Sequence, residues 1–488
     1  MKNSISAVGV ALAAAGVMCL SPAPARAVIT YSVSGSWDTD ARRTAAVNAL
    51  AAVANLYNAY GDFGNHNINA IYEPSVQTAD CGYYGQIRFG GTYPNQRVTQ
   101  HESNHYFGSG TYEGTWSSKF NASGVWTGAK VQALYAQFDG DGAVLKKSGV
   151  HFYGYGLNYD SEVVNGSILS RNIAIMYAMR QDMGNGNTAD PWSARTVTLK
   201  QSDAINTSSF NWQGGWNDTY FAHPNADYYS GNFLVRTPVD TYDAGAATPS
   251  FTFAGDSLTL NNRGDVNGGL LFKGVGTSGV TTINNLILDH GTVRHGSGAG
   301  DVMQLAGRVK VLSPSVIAPS NGSLNLNSVV SGAGGLTIDD GVGTVTFTNA
   351  ANTYRGNIDV KGKFTLATAA ALVFGIGPDG VNNTISGTTA DAVALNGTFK
   401  FDLSAAATTF GSQWAVVSAI NSTYGSTFAV NGFAELTAGV WTSGTGYTFS
   451  ETTGKLTFGG SNLTPIPEPA SLAILGTAGA VLAKRRRQ

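Results

Sequence analysis

Cysteine is almost missing from this chain: of 488 residues only Cys19 and Cys81 carry a thiol. A disulfide-stapled scaffold is excluded, and stability has to come from packing. Charge is scarce too, at 12% of residues with a net charge of -2, against a typical share of about a quarter. That scarcity excludes a charge-laced coiled coil and leaves no basic surface for a phosphate backbone, so a nucleic-acid partner is not expected. What is abundant is glycine, 62 of 488, about 13% against a usual value near 7%. Apolar residues make up 43%, enough to offset chain entropy and exclude wholesale disorder. The length suggests about three domains.

Both ends look like addresses. Residues 1–27 hold Lys2, an apolar stretch from Val8 to Leu20 and then Ala25-Arg26-Ala27, the order of a signal peptide that signal peptidase cuts before Val28. Cys19 falls inside this segment, so the exported chain keeps Cys81 alone. Residues 465–488 contain Pro467-Glu468-Pro469, an uncharged run from Ala470 to Ala483 and then Lys484-Arg485-Arg486-Arg487. The apolar run is shorter than the roughly 20 residues of a comfortable span, so membrane anchoring there is expected to be transient. The three parts in this order resemble the PEP-CTERM sorting signal of Gram-negative bacteria. That resemblance implies recognition by an exosortase-type processing machinery and delivery to the outer envelope, the cell surface or an extracellular polysaccharide matrix.

Between the ends the chain changes character. Five of the seven histidines lie between His66 and His223, whereas residues 240–464 hold only two glutamates, Glu435 and Glu451. In the first half a helix is expected from Asp38 or Thr39 to Tyr60, capped by the short polar side chain and stopped by Gly61. Strands are expected at Ile68 to Tyr72 and Tyr83 to Phe89. A short helix follows in RVTQHESNHYFG and a longer one from Ser161 to Met183. This order reads as α+β over residues 28–200, with a linker and the start of a β region at 201–248. The second half offers short Thr-, Val- and Leu-rich runs between Gly and Asn turns, among them SLTL, GLLF, NLIL, RVKV, SLNL, TVTF and NIDV. Their regular recurrence favours a solenoid over a sandwich for residues 249–385. Residues 332–367 resemble the autotransporter-associated β-helix repeat, with Asn352, Thr353, Tyr354 and Gly356 keeping its Asn-Thr-Tyr-x-Gly turn. The resemblance implies a right-handed parallel β-helix. Aromatic strands in residues 386–464 suggest a terminal β domain or cap.

The chemistry concentrates in His101-Glu102-Ser103-Asn104-His105, an H-E-x-x-H segment. On a helix the two imidazoles fall one turn apart on one face, where both reach a single Zn²⁺, and Glu102 stands beside the water that fills the open position. Residues 78–111 around the motif are similar to a family of secreted bacterial zincin-like proteins. The likeness implies a metzincin-like metallopeptidase module, with the strand in GQIRFGG as the edge strand that pairs with an extended peptide. Thr111 stands where metzincins place a third histidine, and Ser103 and Asn104 replace the apolar pair that normally packs the helix. A catalytic zinc site has three protein ligands, so the third must come from elsewhere. His151 is the first choice and Glu162 the second, with His66 and His223 behind them. Tyr153, Tyr155 and Tyr112 are candidates for donating to an oxyanion. Cys81 reads as a buried small residue and Asp139-Gly-Asp141-Gly as a hairpin turn.

These observations lead to an exported zinc metallopeptidase that hydrolyses peptide bonds in a peptide or protein substrate, using Glu102 as general base. The alternative is a non-catalytic surface or matrix β-helix protein, adhesive or structural, with a degenerate zincin module. A polysaccharide-cleaving β-helix fits poorly, because the second half offers few carboxylates.

Overall fold

The structure, a computed structural model, describes residues 28–163, 167–186, 195–200, 209–211, 215–218, 221–224, 226–238, 250–262, 268–273, 279–296, 298, 300–389 and 392–459. The signal peptide expected at 1–27 and the sorting signal at 465–488 lie outside the described residues. Among those described, no helix is long and apolar enough to cross a membrane.

The N-terminal region is α/β. Strand β1 (Ile29–Val33), helix α1 (Asp40–Tyr60) and strand β2 (His66–Tyr72) make a β-α-β unit in which β1 and β2 run parallel. Thr39 caps α1, its hydroxyl accepting from the Arg42 amide at 3.2 Å. Two more strands, β3 (Ala79–Asp80) and β4 (Ile87–Phe89), complete a sheet of order β1-β2-β4-β3. Strand β4 joins β2 in parallel, and β3 turns back antiparallel outside it. This corrects the expectation that GQIRFGG supplies the free edge. The chain folds back over it and the Gly90 amide donates to Thr78 O, so Ala79–Asp80 forms the outer strand.

Helix α2 (Gln96–Tyr106) follows the sheet, then α3 (Thr115–Ser118) and α4 (Ala129–Asp139). A small hairpin of β5 (Lys147–Ser148) and β6 (His151–Phe152), a 3₁₀ turn at Asp160–Glu162 and α5 (Ser167–Met183) close the region. Helix α5 is its central post, with Ile173, Ile175, Met176, Tyr177 and Met179 all fully buried. Asp139 and Asp141 flank the end of α4 rather than a hairpin, with Gly140 taking the left-handed φ of 98° that stops the helix.

From Arg195–Thr198 onward the chain is largely parallel β. One long sheet starts there and extends to Thr423–Tyr424; a second is formed by strands from Leu234–Arg236 to Ile385–Gly387. The parallel pairing overruns the 249–385 segment at both ends. The first two strands, Arg195–Thr198 and Ala226–Tyr229, are separated by a long connection that hides their recurrence in the sequence. Alternate residues point inward, as period-two strands require, so Val235, Leu270, Val293, Ile317, Ile338 and Val360 stack in register as one buried column. Such stacking of each strand on its neighbour is solenoid-like.

The Asn-Thr-Tyr-x-Gly turn has a plain physical basis. The Asn352 carboxamide accepts from the Val330 amide at 2.8 Å and donates to Ala371 O at 3.1 Å, linking neighbouring rungs. The buried Tyr354 hydroxyl lies 2.8 Å from Gly334 O and 2.9 Å from Asn357 O, and a Cβ at Gly356 would collide with the Gly334 carbonyl oxygen. Beyond the parallel stack, strands at Gln413–Ala415, Ala434–Thr437, Val440–Thr442, Tyr447–Ser450 and Lys455–Phe458 form an antiparallel sheet around buried Trp414 and Phe449.

Candidate metal centre

Helix α2 carries the site. Asn95 opens it, its side chain accepting from the Val98 amide at 2.9 Å, and Gly108 with φ 110° turns the chain away after its end. The helix is sunk in the region, and its buried polar side chains are partly satisfied: Ser103 and one end each of Gln100 and Asn104 find partners, while Thr99 Oγ1, Gln100 Oε1 and Asn104 Nδ2 have none among the described residues. Ser103 donates to Thr99 O at 2.7 Å, and Asn104 accepts from the Tyr57 hydroxyl at 3.2 Å. Ser103 thus turns its hydroxyl back onto its own helix, and Asn104 ties α2 to Tyr57 of α1.

His101 and His105 share one face of α2, and the β6 residue His151 comes across to meet them. Ring centroids lie 5.0 Å apart for His101 and His105 and 5.1 Å for each pair with His151. The donor atoms of the three all fall within 4.8 Å of one another, a group that could hold a metal ion. The close approach depends on Gly110, whose φ of 70° and missing side chain leave room for Val150 beside His151.

The chemistry of the donors suits a cation. His101 Nδ1 lies 2.8 Å from Gly156 O, and His105 Nδ1 lies 2.6 Å from Ser109 O. A carbonyl can only accept, so each Nδ1 carries the proton and each Nε2 keeps its lone pair. Burial lowers the basicity of all three rings, taking His101 down to about 3 with the neighbouring His105 adding to the effect. They are therefore neutral ligands near neutral pH.

Glu102 lines the same cleft, a cavity of about 480 Å³ also walled by Ala79, Asp80, Cys81, Arg97 and Asn158. Burial pushes its carboxyl up to about 8, the Asp80 charge adds to the rise and Arg97 opposes it. Burial also pushes the Cys81 thiol well up, with Glu102 reinforcing it, so the sulfur is a protonated wall atom rather than a thiolate.

The remaining candidates stand apart from the cluster. Glu162 is buried and accepts from the Asn158 amide at 2.8 Å and from its side-chain nitrogen at 3.1 Å. As a clasp on the loop after His151 it is corrected from the alternative ligand to a structural acceptor. The Tyr155 hydroxyl donates to Asp139 at 2.6 Å. Tyr153 is half exposed and Tyr112 packs on Tyr83, with ring centroids 4.9 Å apart. None of the three tyrosines is among the residues lining the cleft. His66 stacks on Tyr84 and His223 hydrogen-bonds to Pro224 O, both away from the cluster.

No family model, curated protein or solved structure matches the chain. The meaning of the site therefore rests on its own residues. Those that motif reading passed over are the backbone acceptors at Ser109 and Gly156 and the side chains that hold them. A carbonyl leaves no mark on a sequence. The tight Gly154 and Gly156 pair was the only trace.

Proposed function

We propose that this protein is an exported, envelope-associated zinc metallopeptidase, built as a zincin-like module followed by a right-handed parallel β-helix with a terminal β cap. The observation that carries the reading is the convergence of three neutral imidazoles, two of them oriented with Nε2 free, beside a buried carboxyl in one open cleft. Three nitrogen ligands and an open side suit a catalytic zinc rather than a closed structural one. A bound zinc ion supplies a Lewis acid for the scissile carbonyl and acidifies water to a pKa near 7.

The chain's own residues do the rest. Glu102 takes the proton of the attacking water on its carboxylate and returns it to the leaving amine nitrogen. Its upward-shifted carboxyl in the metal-free protein marks it as a group able to hold a proton near neutral pH. His101, His105 and His151 hold the ion, and Gly156 O and Ser109 O keep two of the rings turned toward it. The short outer strand β3 contributes Ala79 and Asp80 to the cleft wall, where an extended peptide finds backbone groups to pair with.

The test is metal analysis of the purified full chain together with casein cleavage. One equivalent of zinc is expected, lost in His101→Ala, with cleavage falling by at least 10²-fold in Glu102→Gln while zinc stays bound. Stoichiometric zinc without cleavage in the parent chain supports the alternative, a non-catalytic surface or matrix β-helix protein. Absence of zinc defeats the metal reading altogether.

A further inference from the structure

We propose that Arg97 is a positioning residue for the metal centre, holding the loop at 156–160 so that His101 and His151 face a common point. The inference rests on the metal-binding reading above. Arg97, His101 and His105 succeed one another at one-turn intervals along α2, and all three line the cleft. From one turn before the first histidine, the Arg97 guanidinium reaches across to the loop that carries the third. Its Nη1 donates to Leu157 O at 2.9 Å and to Asn158 O at 3.3 Å, and its Nε donates to Asp160 Oδ1 at 2.7 Å.

Those carbonyls belong to a turn that needs holding. Leu157 is buried with φ 60°, a left-handed conformation that a non-glycine residue keeps only where its surroundings hold it. The carbonyl of the preceding Gly156 is the acceptor that orients His101, at 2.8 Å from Nδ1. The same turn is locked onto β6. Asn158 Nδ2 donates to Phe152 O at 2.9 Å, and Gly156 sits so close to that oxygen that a Cβ would overlap it. His151 immediately precedes Phe152. A shift of the turn therefore displaces His151 and releases His101 together, and Arg97 is the link from the motif helix that spans both.

An ion pair alone would not carry this role. The Asp160 side chain is 81% exposed, and exposed pairs contribute little. Its part is to hold the guanidinium plane, while the hydrogen bonds to two carbonyls do the positioning. Lysine offers one point charge in place of the planar fork and cannot reproduce both.

The experiment uses the full chain with Arg97→Met, Arg97→Lys and Asp160→Asn. It reads the Zn²⁺ dissociation constant by chelator competition and hydrogen exchange over residues 151–160 in the metal-free protein. Arg97→Met is expected to weaken zinc binding about 10–100-fold, the range for loss of a group that orients a ligand, and to speed exchange at 151–160 while α1 stays protected. Arg97→Lys is expected between Arg97→Met and the parent, and Asp160→Asn within about threefold of the parent. Zinc binding by Arg97→Met within twofold of the parent, with residues 151–160 still protected, overturns the proposal. If Arg97→Met also loses protection in α1, Arg97→Lys decides by the same two readings. If the parent chain holds no zinc, the metal reading falls by itself, and unchanged exchange at 151–160 then overturns the positioning role separately.

Discussion

In the N-terminal region the groups that meet at the cleft come from separate stretches, residues 78–92, 97–111 and 150–158, and Arg97, His101 and His105 are held by hydrogen bonds to backbone carbonyls. In the parallel stack buried apolar side chains meet apolar side chains one rung away, as in the column from Val235 to Val360. The first arrangement places neutral histidines and a protonatable carboxyl in one cleft. The second places apolar atoms on apolar atoms and turns its few charges outward. In the cleft such polar groups converge from separate stretches, whereas in the stack a buried group unpartnered among the described residues, such as His295, stands among apolar rungs, and the stack extends without any long-range closure.

Metal removal should separate the two regions most strongly. A ligand that binds only the folded state at a thousand times its dissociation constant adds about 4 kcal/mol of stability. Chelation is therefore expected to cut the protection of α2 and α5 amides by that order while leaving the strands at Thr344–Phe347 and Ile358–Val360 unchanged. Region-resolved hydrogen exchange with and without chelator reads both. Equal loss in both regions would show that the stack depends on the metal centre and would remove the contrast.

How far each region could be read beforehand follows from the same difference. The strands SLTL, GLLF, SLNL and TVTF appear where expected, because period-two alternation and Gly or Asn turns are local signals. In the first half α1, β2 and α2 were legible from their caps and apolar spacing. Helix α4 was missed, since Ala129–Asp139 has neither a polar N-cap nor an acidic first turn. The expected strand from Tyr83 shrinks to Ile87–Phe89, because Tyr84 adopts φ 51° in the turn before it. At the site the i, i+4 histidines could be read from spacing alone. The path of His151 to them could not, for it depends on Gly110 leaving room and on Arg97, Asn158 and Glu162 folding the loop back.

A smaller, local effect tests the repeat turn. Tyr354→Phe removes the hydroxyl that lies between Gly334 O and Asn357 O; Asn357 O keeps the Leu336 amide, but the buried Gly334 O loses this donor, at a cost of about 1–3 kcal/mol. The loss should appear in denaturant unfolding of the β region, with zinc content unaltered. A change in zinc affinity would mean that the stack and the cleft are coupled across the chain.

Acid titration of the metal-free protein draws the finest distinction. His101 has its folded pKa lowered from 6.5 to about 3, chiefly by burial. The folded state takes up fewer protons than the unfolded chain, so the stability tied to this ring is complete above pH 6.5 and is lost as the pH falls toward 3. His101→Gln should flatten that slope in the N-terminal region. In the stack, Asp402 is held down to about 2 by its hydrogen bonds to Ser404 and then by Arg355, 2.6 Å away. Its contribution is complete above 3.8 and disappears only as the pH falls through about 2. Asp402→Asn should therefore lower stability slightly and evenly above pH 4 and converge on the parent as the pH falls through about 2, with a smaller difference in high salt because the pair is exposed. If the effect of Asp402→Asn instead varied with pH near 6, the exposed carboxylate would have to be coupled to a group of the stack that titrates there, and the division between a titrating cleft and a scaffold that is quiet in this range would fail.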